Sequence, residues 1–144
     1  MLIVSYPYEN ARLQSFRASS IHPRLFSRLA GNPMLFLETL FTLFFGHALA
    51  DFVLQPEVMG YGKNRHDNIH NKEHSFFPVW WYWLTAHALV HGGVVYLLTN
   101  SLVFGLLETV LHWITDYSKC ENWIGMHQDQ GIHLGCKAGY AFFL

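Results

Sequence analysis

TVLHWITDYSK, residues 109–119, decides how this chain is read. The stretch is apolar enough for a membrane helix, yet it carries His112 and Asp116 four residues apart. On a helix that spacing stacks the two side chains on one face, about one turn from each other. The same i, i+4 pairing of metal-ligand residue types returns three times, in His47 with Asp51, His87 with His91, and Asp129 with His133. Four hydrophobic segments, each with one such pair, form the pattern to be explained.

Working outward, the 144 residues leave room for one main domain. Hydrophobic residues make up 51% and charged residues only 13%, about half the charge of an ordinary soluble domain. No Asp, Glu, Lys or Arg occurs between Ser75 and Leu107, a run long enough to cross a bilayer core. The expected class is therefore all-α, an integral membrane four-helix bundle. A net charge of −1 gives no electrostatic case for nucleic acid. Cys120 and Cys136 lack CxxC spacing and read as free thiols.

Residues 1–32 form a basic N-terminal extension with Arg12, Arg17, Arg24 and Arg28 but no continuous apolar core of a signal peptide. Its RLFSRLA stretch, 24–30, reads as a short amphipathic helix on anionic headgroups or as an unstructured tail. The membrane domain is expected over 33–144, with a polar connection at 56–77. Asn32-Pro33 signals the first helix, spanning about 34–55 before Pro56. Gly60 and Gly62 argue against a continuous helix in the connection. His66, His70 and His74 there, spaced by four, allow a second metal site, although a solvated loop explains them as well. The second helix, about 78–99, opens on Trp80, Trp81, Tyr82 and Trp83, an aromatic cluster suited to a membrane interface. Gly92-Gly93 permits close approach of a neighbouring helix or of a second copy of the chain. Thr99-Asn100-Ser101 makes a tight turn, with Asn100 or Ser101 as N-cap of a third helix over about 102–117. The fourth helix is expected over about 128–144.

Short connections make successive helices antiparallel, so the candidate ligands can be placed by depth from one shared side. At the standard helical rise, seven of the eight fall roughly 3 to 13 Å in, with His91 deeper. Ionised groups in hydrocarbon are costly unless paired, and a divalent cation suits several Asp and His together. His47, Asp51, His87, His91, His112, Asp116, Asp129 and His133 suffice for three or four ligands to each of two metals. Imidazole and carboxylate without thiolate fit zinc, and also iron or manganese. Glu108, one turn before His112, is a ligand, a general base or an interfacial carboxylate. Lys119 could pair with a ligating carboxylate or hold a bound anion. Gln55 and Gln130 are candidate donors to the ligands. Polar glue between helices accounts for any one pair equally well.

HALADFVLQ (47–55), LTAHALVHGG (84–93), ETVLHWITDYSKC (108–120) and DQGIHLGCK (129–137) resemble the successive motifs of a bacterial and phage membrane-protein family, domain of unknown function 3307. The resemblance covers roughly 34–144 and implies a location in a bacterial inner membrane without implying an activity. A looser similarity to inner-membrane metal-dependent hydrolases rests on His and Asp in membrane helices, which is analogy only.

The expected function is a membrane-embedded metal-dependent hydrolase acting on a lipid or lipid-linked substrate. A haem or non-haem iron redox protein and a cation or proton transporter are the alternatives. Four arginines on one side face Lys63, Arg65, Lys72 and Lys119 on the other, so the positive-inside count leaves orientation open.

Overall fold

The structure, a computed structural model, describes residues 33–68 and 77–144. The N-terminal extension with its expected surface helix, and His70 and His74, lie outside the described residues. The described residues are helical throughout, with no strand among them. They form α1 (Pro33–Ala48), a π-helical turn (Leu49–Val53), a short α2 (Glu57–Gly62), α3 (Trp80–Thr99), α4 (Leu102–Cys120) and α5 (Met126–Phe143).

The four long helices close a four-cornered ring in which α1 packs on α3, α3 on α4, α4 on α5, and α5 back on α1. The closest of these contacts, α3 on α4, follows from two glycines. A Cβ on Gly92 would stand 1.9 Å from Thr109 Oγ1 and 2.6 Å from the Gly105 carbonyl, and one on Gly105 would stand 2.9 Å from Tyr96 Cβ. Gly93, paired with Gly92 in the sequence reading, meets nothing within 4 Å. The α3–α4 turn divides its two capping roles. Asn100, at φ 52°, ends α3 in the left-handed region that Asn tolerates, and Ser101 accepts the Phe104 N–H as N-cap of α4.

Three boundaries differ from the sequence reading. The first helix does not continue as α to residue 55 but widens into the π turn, where the Leu54 N–H reaches the Leu49 carbonyl. Helix α4 runs one turn past Tyr117, which brings Lys119 onto the helix. The described part of the polar connection is not one continuous helix, in line with Gly60 and Gly62, but its first residues form the six-residue α2. Gly62 is needed there, because a Cβ would meet the Trp83 ring at 2.8 Å.

The interior divides by height. At one end Leu43, Val95, Tyr140 and Ala141 form an apolar core, backed by Leu40, Phe104 and Cys136. Toward the other end, where α1 and α4 finish and α3 and α5 begin, histidines, carboxylates and lysines dominate the buried side chains, with Ala50, Leu84 and Ala88 packed among them. The outer surface is apolar, with Phe41 72% and Leu97 78% exposed. Pro33–Val53 is the one described stretch long and apolar enough, by length and composition, to cross a membrane. Helix α3 lacks charged residues but is diluted by histidines, glycines, indole N–H groups and hydroxyls, while α4 and α5 carry charged groups on their inner faces.

Candidate metal centre

Each long helix delivers its ligand pair to the same interior. The i, i+4 spacing aligns His87 with His91 on α3, His112 with Asp116 on α4, and Asp129 with His133 on α5. Asp51 sits in the π turn, a widened turn of the kind found at functional sites. Its Oδ1 lies 3.2 Å from Nε2 of both His87 and His91, and its Oδ2 lies 3.5 Å from Nε2 of His47. All eight residues named from the sequence are brought together, and all but Asp51 are buried.

The ligand atoms fall into two sets with no member in common. Asp51, His87, His91 and His112 offer one set, and Asp116, Asp129 and His133 the other, each with its donor atoms within 4.8 Å of one another. Asp116 stands between them. Its Oδ2 is 3.4 Å from His87 Nε2 and 3.9 Å from His112 Nε2, while its Oδ1 is 4.0 Å from His133 Nε2. Glu108 with His112 and His133 makes a third, overlapping set. His47 belongs to none of the three. Its Nε2 lies 3.3 Å from Gln130 Oε1, at the edge of the first set.

The donor set fits a cation by what it leaves unsatisfied. Nε2 of His87, His91, His112 and His133, and Oδ1 of Asp129, are buried without a hydrogen-bond partner among the described residues. Carboxylate oxygens lie near these nitrogens, but not aligned for hydrogen bonds. The imidazole rings instead crowd on one another, with His91 and His112 stacked at 3.6 Å between centroids and His112 and His133 at 4.0 Å. Buried polar atoms in a folded protein are paired as a rule. Several lone pairs converging without partners are explained together by an ion placed among them.

A shell of amides and ammonium groups surrounds the ligands. Gln130 Nε2 donates to Asp51 Oδ2 at 2.8 Å and to Asp129 Oδ2 at 3.2 Å, as a side chain that orients both carboxylates. Gln55 acts in the opposite sense from the donor role expected of it, because its Oε1 accepts from Lys63 Nζ at 2.8 Å. Lys119 Nζ reaches Asp129 Oδ2 at 2.9 Å and Asp116 Oδ1 at 3.5 Å. Glu108 lies one turn behind His112, where its Oε1 accepts from Lys137 Nζ at 2.5 Å and sits 3.4 Å from His112 Nδ1.

Sequence reasoning missed Lys63 and Lys137 as parts of the site. Lys63 follows α2, is buried, and donates to Asp116 Oδ2 at 2.5 Å. In the sequence it is one of several cations in a polar connection, and no local signal sets it apart. Lys137 did carry a signal, since it lies four residues after His133 on the same face of α5.

The segment bearing Lys63 is pinned from outside the cluster. Arg65 makes two contacts of 2.7 Å with the Glu121 carboxylate and lies 5.8 Å above the Tyr117 ring. His66 Nε2 is 3.2 Å from Glu121 Oε1 and its side chain is exposed, away from the cluster. The Arg65 and His66 contacts hold the Glu121 carboxyl below its usual range.

No family, curated protein or solved structure matches the chain.

Proposed function

We propose that this chain is a membrane-embedded, divalent-metal-dependent hydrolase acting on a lipid or lipid-linked substrate, with zinc as the metal best suited to its imidazole and carboxylate donors. The observation that carries the reading is the convergence of four partnerless, buried imidazole nitrogens on a space ringed by three aspartates. A bound divalent cation would supply acidified water and a polarised ester oxygen. The chain's own residues hold and tune the site. Gln130 orients Asp51 and Asp129, and Glu108, anchored by Lys137, stands 3.4 Å from Nδ1 of His112, near enough to help orient that ring. Glu108 is accordingly a positioning residue in this reading, and the general base belongs to a carboxylate beside the cations.

The membrane setting draws support from an inverted distribution of residues. Among the described residues, eleven polar or charged ones are buried against eight hydrophobic ones, while leucines, valines and phenylalanines cover the outside. In water this arrangement exposes a large apolar surface, and in lipid it satisfies both faces. Helices of 18 to 20 residues rise roughly 30 Å, the thickness of the hydrocarbon core. Trp80, Trp113, Tyr117 and Trp123 gather at the end nearest the cluster, as interfacial anchors do. On this account the four long helices span a bacterial inner membrane, in keeping with the resemblance to the phage and bacterial family.

Haem is disfavoured by the ring geometry, since imidazoles stacked at 3.6 and 4.0 Å leave no slot for a macrocycle between them. A transport path is disfavoured because an apolar core fills the other end of the bundle. Elemental analysis of the detergent-purified protein tests the reading. Wild type should carry a divalent metal that His112→Ala largely loses, and a full metal complement in that variant would overturn it.

A further inference from the structure

We propose that the substrate of this site is a phosphate ester, with Lys63 and Lys119 as the side chains that bind its phosphoryl oxygens. The inference rests on the metal reading of the same cluster. Its basis is a count of charge within the largely buried cluster. Glu108 and Lys137 neutralise one another at 2.5 Å behind the histidines. Asp51, Asp116 and Asp129 remain, together with Lys63 and Lys119. Two divalent cations bring one positive charge more than these three carboxylates balance, and the two lysines raise the surplus to three. A neutral ester or amide would leave that surplus uncompensated in a low-dielectric interior, which is strongly unfavourable. A water-derived hydroxide and a phosphate monoester dianion together cancel it.

Placement agrees with the count. Both ammonium groups abut Asp116, the carboxylate between the two ligand sets, Lys63 on its Oδ2 and Lys119 on its Oδ1. When cations engage Asp116 and Asp129, Lys119 loses both of its carboxylate partners and Lys63 keeps only the Gln55 carbonyl, which leaves donors free where an oxyanion would lie. Lysine serves phosphate as a compact point charge with three donors. Lys119 is also the part of the cluster that solvent reaches, its side chain 27% exposed against 1% for Asp116 and 0% for Asp129. Hydrolysis there adds water across the ester bond. The water oxygen joins phosphorus, the bond from phosphorus to the ester oxygen breaks, and the protons of water end on the alcohol and the phosphate.

The same chemistry is offered by a lipid headgroup such as phosphatidic acid and by free phosphate, and the test separates them. Full-length protein in detergent micelles is first assayed for metal, then titrated calorimetrically with inorganic phosphate and, separately, with phosphatidic acid in mixed micelles. Metal-loaded wild type should bind phosphate saturably, and Lys119→Met should bind about tenfold or more weakly at unchanged metal content, with Lys119→Arg in between. Tighter binding of phosphatidic acid than of inorganic phosphate would assign the lipid headgroup, and the reverse would assign a soluble ester. A fully loaded protein that binds neither probe, or a Lys119→Met variant that binds as wild type, overturns the inference while leaving the metal reading standing. A protein that takes up no metal overturns both.

Discussion

Lys137 carries its ammonium group into the bundle beneath the histidines and ends on Glu108, with both side chains 1% exposed. Removing one member of such a pair strands the other charge, so Lys137→Met and Glu108→Gln alone should each lower stability in detergent by about 3–5 kcal/mol. The double variant should recover most of that loss, a result read from the thermal unfolding of all four proteins. Because Glu108 also faces His112 Nδ1, Glu108→Gln should weaken metal binding about 10- to 100-fold, as measured by competition with a chelator. The eight candidate ligands were legible in the sequence because histidine and aspartate are conspicuous in apolar helices and their spacing of four is a helical signature. The lysines were less so. A lysine in a polar connection carries the same signal whether it faces solvent or, like Lys63, turns inward to an aspartate 53 residues away.

Helix α3 presents adjacent glycines with opposite surroundings, and this makes element packing testable. Gly92→Ala must push α4, with its Thr109 and Gly105 carbonyl, away from α3, and should cost about 1–3 kcal/mol while loosening the His91–His112 stack. Gly93→Ala meets open space and should be neutral or stabilising by up to about 1 kcal/mol through helix propensity. Denaturant unfolding of the two variants in one detergent checks the contrast. The segment bearing Lys63 depends instead on Glu121, whose carboxyl is held low by Arg65 and His66. A carboxyl depressed in the folded state contributes stability that is present above its unfolded value and is lost as pH falls through the folded one. Protection from hydrogen exchange across residues 57–68, taken relative to the intrinsic rate at each pH, should therefore stay high near neutrality and fall on acidification below the ordinary carboxylate range, and Glu121→Gln should show the low protection at neutral pH. Existence and order of the long helices could be read from hydrophobic runs and from Asn100-Ser101. The π turn and α2 could not, because each depends on tertiary partners, Asp51 on the α3 histidines and Gly62 on the Trp83 ring.

At the scale of the whole molecule, the chain is assembled with its charged groups inward and its apolar groups outward, and hydropathy alone under-reports this. Inward-facing ions lower the apparent hydrophobicity of α4 and α5 even though Leu106, Val110 and Ile114 line an unbroken outer face of α4. A charge on that face should matter only in lipid. Val110→Lys, at a position 57% exposed, should impair membrane integration by about 2.5–3.5 kcal/mol in an insertion assay, whereas an exposed site on a water-soluble protein would tolerate it. The ring of four antiparallel helices explains why segments far apart in sequence supply ligands at one height. The account stands or falls on cations lying among those ligands. X-ray absorption at the metal edge of the loaded protein reads this directly. The prediction is a first shell of imidazole nitrogen and carboxylate oxygen at about 2.0–2.2 Å with a second metal at about 3.5–4 Å. A sulfur shell near 2.3 Å, or a shell of water oxygens without imidazole scattering, would contradict it.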